Sequence, residues 1–308
     1  MFAVFSALIP VFMLIIAGLL IRRLALPEPE QWVGIELLSY YVLFPALLID
    51  TLARADLSRV PIGGVGGALA ASVVLMSALC LALLPLFRRT GMDGPSFTSL
   101  FQGATRWNTF VALAIAENLY GAPGVELASV AMVAQIPLLN IINVWVLDRH
   151  ASKSRPHWRA TLVTLAKNPL IWSCAIGLVL NLLHVPVTGP VHAFADGLGR
   201  CSIPLGLLVV GAGLKLGDLI RFDATVLIAT ILKLLVMPAF ALGLGLAFGL
   251  SGVGLAVVAC CSAVPSATNA YILARQLGGN APLMAHILAV QTLLAVVTMP
   301  IAIGLVTP

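Results

Sequence analysis

Long apolar stretches separated by short polar connections run along the whole chain. Each stretch is long enough to cross the hydrocarbon core of a bilayer as a helix, which takes roughly 20 residues. The stretches are unbroken rather than alternating between polar and apolar positions, so membrane β-barrel strands are not expected. The pattern predicts an all-α polytopic membrane protein with about ten transmembrane helices. The predicted spans are Phe5 to Ile21, Trp32 to Ala53, Ile62 to Phe87, Phe97 to Leu119, Leu127 to Leu147, Leu162 to Leu183, Val191 to Leu216, Val226 to Phe248, Gly252 to Gln276 and Leu283 to Leu305.

The composition supports this prediction. Of 308 residues, 60% are hydrophobic and only 9% are charged, with a mean hydropathy of +1.07. A soluble globular chain carries about 25% charged residues. The cysteines fall inside predicted spans without the spacing of metal ligands, so we expect no metal site and no cofactor. They are Cys80, Cys174, Cys201, Cys260 and Cys261.

Lysine and arginine residues are unevenly distributed over the connections. Most follow spans one, three, five, seven and nine, whereas the alternate connections hold only Arg54 and Arg59. The positive-inside rule places the basic connections in the cytoplasm. With an even number of spans in the inner (cytoplasmic) membrane, both termini are then predicted to lie outside the cytoplasm. The charge of +5 is scattered over short loops, so nucleic-acid binding is not indicated. The basic residues of the predicted cytoplasmic connections are Arg22, Arg23, Arg88, Arg89, Arg149, Lys153, Arg155, Arg159, Lys215, Arg221 and Arg275.

Two predicted spans are interrupted near their middle by residues that disfavour helix. Span four contains Asn108-Thr109-Phe110-Val111, and span nine contains Pro265-Ser266-Ala267-Thr268-Asn269. Interrupted spans at corresponding positions of two halves indicate a transporter substrate site, because only there is unpaired backbone useful.

The two halves can be aligned through these interruptions. The alignment divides the chain into residues 1–150 and 151–308, with five spans in each half. An odd number of spans per half inserts the second half upside down, which predicts two inverted five-helix repeats. The paired positions are Gly121 with Gly278, Asn108 with Pro265 and, at a nearly equal offset, Gln135 with Gln291.

Several short motifs resemble one known family in order and spacing. They are Asn108-Thr109-Phe110-Val111 ending in Tyr120-Gly121, Gln135, Asn168-Pro169 followed by Ile176-Gly177-Leu178, and Ala263-Val264-Pro265. The chain resembles the auxin efflux carrier family, which holds the plant PIN-type carriers and many short bacterial permeases and is related in fold to bile acid:sodium symporters. Trp107 and Ala270 stand where the plant carriers have proline, so the bacterial permeases of small organic acids are the closer analogy.

The resemblance implies a scaffold made from helices one, two, six and seven and a transport part made from helices three to five and eight to ten. Broken helices four and nine cross at the substrate site, which the resemblance assigns to Asn108 and Pro265. The resemblance also implies a homodimer formed through the scaffold helices, surrounded by membrane lipid.

The chemistry of two broken helices favours an anion. Half-helix N-termini present unpaired N–H groups and about half a positive charge each, which together can hold a carboxylate. Asparagine and serine beside a break can instead cap the helix, and this alternative stays open. The candidate substrate-binding residues are Asn108, Thr109, Pro265, Ser266, Thr268 and Asn269, with Gln135 and Gln291 reaching from neighbouring helices.

Ionisable residues inside the spans form a second set of candidates, because a charge in lipid is costly. Arg106 would attract an anionic substrate or anchor two helices. Lys233 would offset carbonyl groups at the crossing or extend toward an interface. His286 and Asp50 are candidates for a proton path, although Asp50 with Arg54, like Asp196 with Arg200, has the spacing of an ion pair on one helix face.

Three function classes follow. The leading hypothesis is a secondary transporter of small organic anions such as auxin-like monocarboxylates or dicarboxylates, working by an elevator-like or rocking movement. The alternative is a sodium-coupled symporter of the bile-acid type, which needs acidic ligands that neither interruption supplies. A membrane receptor gains no support from the sequence. No enzyme motif emerges, and no P-loop for ATP coupling is present.

Overall fold

The computed structural model describes residues 2–55, 62–151, 169–214 and 223–306, and every regular element in these ranges is helical. We number the helices in chain order, treating short π-helical turns as part of the helix that contains them. The helices are α1 (Phe2–Leu24), α2 (Pro29–Arg54), α3 (Ile62–Arg89), α4 (Gly94–Thr105), α5 (Thr109–His150), α6 (Pro169–Leu182), α7 (Gly189–Gly213), α8 (Ala224–Ala247), α9 (Gly252–Ala263), α10 (Asn269–Leu277) and α11 (Ala281–Gly304).

The helices have the length and surface of a membrane protein. Within the described ranges, six helical segments are long and apolar enough to cross a bilayer, and α6 and α9 are shorter apolar helices. Large apolar side chains such as Trp172 and Phe194 are exposed on the outside, where lipid would contact them. The all-helical, multi-pass prediction is confirmed. The count of ten helices and the inverted repeat stay predictions.

Some residues used in the sequence analysis lie outside the described ranges. They lie between predicted spans two and three, between spans five and six together with the start of span six, and around the end of span seven. The residues concerned are Arg59, Lys153, Arg155, Arg159, Asn168, Lys215 and Arg221.

Two helices contain a π-helical turn directly before a proline. In α2 the turn is Ser39–Leu43 and the proline is Pro45; in α8 the turn is Leu232–Val236 and the proline is Pro238. Proline has no N–H to donate to the carbonyl one turn back, so the preceding turn is free to widen. A π-helical turn holds one extra residue, and such turns are frequent at functional sites.

The chain leaves the helical conformation inside predicted spans four and nine. The first break, Arg106–Asn108, separates α4 from α5, and the second break, 264–268, separates α9 from α10. In the second break Val264 is extended (φ −67°, ψ 152°), because the residue before a proline disfavours the α conformation. The first break has no proline and begins with an extended Arg106 (φ −70°, ψ 156°).

Helix α5 joins predicted spans four and five without a loop. Gly121 interrupts it with φ 59° and ψ −143°, a backbone conformation that only glycine adopts readily. The segment from the first break to this kink is therefore short and ends where the chain turns. Its residues 111–116 are all buried, so this half-helix lies in the core of the protein.

Candidate functional site

The two breaks contact each other through the backbone. The N–H of Asn108 in the first break donates to the carbonyl oxygen of Pro265 in the second, at 2.8 Å. An unpaired backbone group in the membrane interior costs several kcal/mol, by roughly the transfer energy of an amide into hydrocarbon. Each break thus supplies a partner that the other needs, and the sequence motifs around Asn108 and Pro265 come together at one point.

Asn108 caps the helix that follows the first break. Its side-chain Oδ1 accepts from the N–H groups of Phe110 at 3.1 Å and Val111 at 3.2 Å. Those donors have no partner within the helix, and an asparagine at this position is among the preferred caps. The oxygen of Asn108 is therefore occupied, and only its amide N–H groups remain for a ligand.

Arg106 is a buried cation without an acidic partner among the described residues. Its side chain is 6% exposed, Nη1 donates to Oδ1 of Asn269 at 2.9 Å, and Nη2 donates to Oδ1 of Asn140 at 3.1 Å. Its Nε has no hydrogen-bond partner in the described part of the chain. Two neutral amides orient the guanidinium but supply no counter-charge.

Two adjacent cavities open beside the breaks. The first, which we call the Glu36 cavity, has a volume of about 480 Å³, and the second, the Arg106 cavity, has about 410 Å³. Their total size is within the range of small-molecule sites. Each is lined by the residue that names it, and they share the lining residues Tyr40, Tyr41, Thr109, Leu170, Ala267, Asn269 and Ile272.

Four predicted site residues face these cavities besides Arg106. Asn108 and Thr268 line the Glu36 cavity, and Thr109 and Asn269 line both. Thr109 and Asn269 are also the first residues of α5 and α10, so the N-terminal ends of two helices meet at the cavities. Their partial positive charges add to that of Arg106.

Pro265 and Ser266 belong to the second break and Gln291 to α11, and none of the three lines either cavity. The side-chain oxygen of Gln291 accepts the N–H of Ser266 at 3.0 Å, and its nitrogen donates to the carbonyl of Gly103 at 2.9 Å and, more weakly, to that of Ala229 at 3.3 Å. The hydroxyl of Ser266 also donates to Gly103, at 2.6 Å. We call Ser266, Gln291 and the Gly103 and Ala229 carbonyls the Gln291 cluster. It holds α11, α4 and α8 against the break.

The remaining candidates are dispersed. Gln135 is buried and makes one long hydrogen bond, from Nε2 to the carbonyl of Leu69 at 3.4 Å. Lys233 is 1% exposed in the π-helical turn of α8, close to the thiol of Cys261, and His286 is buried on α11. None of the three lines either cavity.

Asp50 lies at a third cavity of about 340 Å³ near the far end of α2. It contacts Nδ1 of His192 at 2.8 Å and Nη1 of Arg54 at 3.6 Å, so the predicted ion pair on this helix is present. The pair of Asp196 and Arg200 is also present, at 2.8 Å. Because Asp196 and Arg54 line this cavity too, we call it the charged cavity.

An aromatic contact separates the charged cavity from the Glu36 cavity. Phe44 of α2 and Phe110 of α5 stack with ring centroids 4.5 Å apart and an interplanar angle of 19°. On α2, residues 33–41 line the first two cavities and residues 47–54 line the charged one, so Phe44 lies between them. The cavities open at opposite ends of α2, since a helix rises about 1.5 Å per residue.

The sequence analysis missed Tyr40, Tyr41 and Asn140. Asn140 is a polar residue inside an apolar span, a signal that could have identified it. Tyr40 and Tyr41 carry no such signal, because the π-helical turn brings both rings to the cavities and nothing in the local pattern announces that turn.

Comparison with known proteins agrees with this geometry. The family described as membrane transport protein matches residues 3–303. The chain belongs to the membrane transport protein family. Members of this family that resemble the chain include an "Uncharacterized transporter" of Methanothermobacter thermautotrophicus, 23% identical, with 96% of each chain covered. YfdV of Escherichia coli K12, also named an uncharacterized transporter, is 24% identical over 96% of this chain and 95% of its own.

A third member of the membrane transport protein family is named more specifically. The "Putative malonate transporter" of Rhizobium meliloti is 24% identical over 94% of this chain and 92% of its own. The resemblance to auxin efflux carrier-like permeases is thereby confirmed at the level of the family, and the chain is a transport protein rather than an enzyme.

Proposed function

We propose that the chain is a secondary transporter that moves small organic anions across the cytoplasmic membrane by alternating access. One observation carries the proposal: the guanidinium of Arg106 is buried beside a cavity, and its hydrogen-bond partners among the described residues are the neutral oxygens of Asn140 and Asn269. A charge in this position is costly unless it has a purpose, and ionisable residues within membrane segments mark substrate pathways.

The surrounding groups suit a carboxylate. Arg106 can donate from the Nη N–H groups that Asn140 and Asn269 leave free, and the N-terminal ends of α5 and α10 add partial positive charge. The hydroxyls of Thr109 and Thr268 and the amide of Asn108 complete a set of donors. In this proposal Asn108 both caps α5 and binds the substrate.

The proposed architecture has ten membrane-spanning helices in two inverted repeats, residues 1–150 and 151–308. Helices one, two, six and seven would form a scaffold and, by the resemblance, a homodimer interface. The other helices would move with the substrate. The Glu36 and Arg106 cavities on one side of the Phe44 and Phe110 rings, and the charged cavity on the other, support alternating access from opposite faces of the membrane.

Two kinds of conformational change would fit this arrangement: an elevator-like displacement and a rocking rotation. In both, Phe110 must slide past Phe44 when the site opens toward the charged cavity. We place the Arg106 cavity on the cytoplasmic side in the described conformation, since α2 approaches it from the connection that follows Arg22 and Arg23. Both termini would then lie outside the cytoplasm.

A sodium-coupled symporter is the weaker reading. Sodium ions bind oxygen-rich sites, and carboxylates are the usual anionic ligands of hard cations. Neither 106–108 nor 264–268 contains an acidic residue. Arg106 at the first break would also repel a cation.

Uptake into liposomes tests the proposal. Purified protein should accumulate radiolabelled mono- or dicarboxylates, and Arg106→Gln should reduce uptake at least tenfold. Arg54→Gln is the matched control, because Arg54 lines only the charged cavity among those described, and it should retain most of the activity. Equal loss in both variants, or full activity of Arg106→Gln, would refute the anion site. Strict dependence on a sodium gradient would favour the symporter.

A further inference from the structure

A single acidic residue stands across the cavities from Arg106. Glu36 of α2 lines the Glu36 cavity and is the only ionisable acid among the described residues that line either of the two adjoining cavities. It is half-buried, and its carboxylate has no hydrogen-bond or ion-pair partner among the described residues. Glu36 precedes Tyr40 by four positions, so the two side chains lie on the same face of α2.

The two cavities therefore have opposite charges at their far ends. Arg106 lines only the second cavity and Glu36 only the first, while Tyr40 and Tyr41 line both and lie between them. Neither charge is neutralised by the described residues around it. A ligand that spans both cavities meets a cation at one end and an anion at the other.

The two tyrosine rings are compatible with a cationic group beside Glu36. Their centroids are 5.2 Å apart and their planes meet at 88°. An ammonium group is attracted by the face of an aromatic ring, whereas a carboxylate is repelled by it. Because both rings line both cavities, Glu36 rather than the rings decides at which end a cationic group would bind.

We propose that the substrate is a small zwitterion: its carboxylate binds Arg106, and a cationic nitrogen at its other end binds Glu36 and the Tyr40 and Tyr41 rings. This rests on the proposed function, because it requires the Arg106 anion site. It keeps the carboxylate of the proposed function and adds a cationic group at the other end, which makes the substrate amino-acid-like. A dicarboxylate of equal length would place its second negative charge beside Glu36, where both charges repel.

Sets of three probes with equal chain length test the proposal. One set is malonate, β-alanine and propionate; the second is succinate, 4-aminobutyrate and butyrate; the third is glutarate, 5-aminovalerate and valerate. Each set varies only the group distant from the first carboxylate. Binding to the full chain in detergent is measured by calorimetry and by the rise in unfolding temperature, since a ligand stabilises the state that it binds.

We expect the amino acid of one set to bind at least tenfold more tightly than the corresponding dicarboxylate. The affinity of the monocarboxylate, whose other end is uncharged, should lie between them. Glu36→Gln should abolish most of this preference, and Glu36→Lys should reverse it. Glu30→Gln is the matched control, since Glu30 is exposed in the first turn of the same helix and lines neither cavity. It should leave the preference unchanged.

The outcomes separate this proposal from the transport proposal. If a dicarboxylate binds as tightly as its amino acid, or if the preference survives Glu36→Gln, the zwitterion proposal is wrong, while binding that is lost in Arg106→Gln still supports the anion site. If no probe of any set binds, the anion site and the zwitterion proposal both fail. If Glu36→Lys is not monodisperse on gel filtration, Glu36→Gln alone decides.

Discussion

The two helix breaks meet at one point but are stabilised in opposite ways. The first break is capped from within, because Oδ1 of Asn108 accepts two N–H groups of its own helix. The second break has no such cap: Thr268, the residue before α10, makes no capping hydrogen bond with its side chain. It is held from outside by Gln291 and by the bond between Ser266 and Gly103.

This difference indicates how the work is divided between the breaks. At the first break the helix cap comes from Asn108 itself, while the side chain of Arg106, which faces a cavity, is oriented by Asn140 and Asn269. The second break contributes Thr268 and Asn269 to the cavities while its other side is fixed to α4 and α11. At the first break, Asn108 both lines a cavity and caps a helix. At the second break, Thr268 and Asn269 line the cavities, while Ser266 makes the supporting hydrogen bonds.

The largest loss of stability is expected when Gln291 is replaced. Gln291→Met keeps the size of the side chain but leaves the buried N–H of Ser266 without its acceptor, which should lower the free energy of unfolding by about 2 kcal/mol. Gln135→Met is the matched control, at the position that the predicted repeat aligns with Gln291. Gln135 makes one long bond and its Oε1 has no partner among the described residues, so this change should be within about 0.5 kcal/mol of neutral.

Thermal and denaturant unfolding in detergent measure both variants. Similar destabilisation by Gln291→Met and Gln135→Met would contradict the claim that Gln291 supports a helix break and Gln135 does not.

The next effect is expected at Asn108. Asn108→Ala removes the cap of α5 and should cost about 1 to 2 kcal/mol of stability, whereas Thr268→Ala at the second break removes no cap and should cost less than about 0.5 kcal/mol. Asn108→Ser restores a capping oxygen but not the amide N–H groups. It should regain most of the stability and little of the uptake.

Unfolding and liposome uptake are compared on the same preparations. If Asn108→Ser regains both, Asn108 is a cap only and its proposed contact with the substrate is wrong.

A smaller effect is expected where α7 passes both breaks. A methyl group on Gly206 would lie 3.0 Å from Cγ of Phe110, beside the first break, whereas a methyl group on Gly213 would lie 3.7 Å from Cγ2 of Thr268 in the second. Gly206→Ala should displace the Phe110 ring and cost about 1 kcal/mol, with slower uptake. Gly213→Ala makes an ordinary contact and should be neutral or slightly stabilising.

Gly197→Ala controls for the change in helix propensity, because no atom lies within 4 Å of the added methyl group. Uptake rates of the three variants rank the contacts. Slower uptake in Gly213→Ala than in Gly206→Ala would reverse the proposed order.

The smallest effect concerns the helix starts that lead to the two breaks. Asp93 caps α4 by accepting the N–H of Ser96, and the Ser96 side chain, together with this backbone hydrogen bond, lowers the pKa of the Asp93 carboxyl below its ordinary value. Asn280 caps α11 by accepting the N–H of Leu283 and donates to the hydroxyl of Ser96, so the two caps are linked but only one is ionisable.

A lowered pKa means that the charged carboxylate stabilises the folded state above about pH 4 and that this contribution disappears as the pH falls through the folded-state value. Asp93→Asn keeps a capping oxygen and removes the charge. At neutral pH it should cost no more than about 0.5 kcal/mol, because water screens an exposed carboxylate, and the cost should vanish in acid. Unfolding temperatures measured across pH check this. A cost that is constant with pH would exclude the charge as its cause.

The positions of the breaks could be predicted from the sequence, because Pro265 removes a donor and Asn108 is a strong cap former. Arg106 could also be selected, since arginine within an apolar span is rare. These signals are local. They identified the polar cavity residues at the two breaks and at the first positions of the helices that follow, namely Arg106, Asn108, Thr109, Thr268 and Asn269.

Other features depend on contacts that the local sequence does not carry. Gln135 and Gln291 look equivalent in the alignment, but only Gln291 reaches the carbonyl of Gly103, 188 positions away. Whether Asn108 caps a helix or binds a substrate is decided by where its oxygen points, which the residue type leaves open. From the sequence, Glu36 is expected to be solvated near a span end, whereas the structure places it half-buried at a cavity that Tyr40 and Tyr41 also line.

The π-helical turn of α2 has an evolutionary consequence. Its extra residue is absorbed by a wider turn, which itself contains the lining residues Tyr40 and Tyr41. Losing one residue there would restore a regular helix, leave Glu36 and Phe44 on nearly their present faces, and change which side chains of the turn face the cavities. Transporters of this family could therefore exchange one set of lining side chains for another through a single codon deletion. Alignments of relatives with different substrates should show a one-residue gap at Ser39–Leu43.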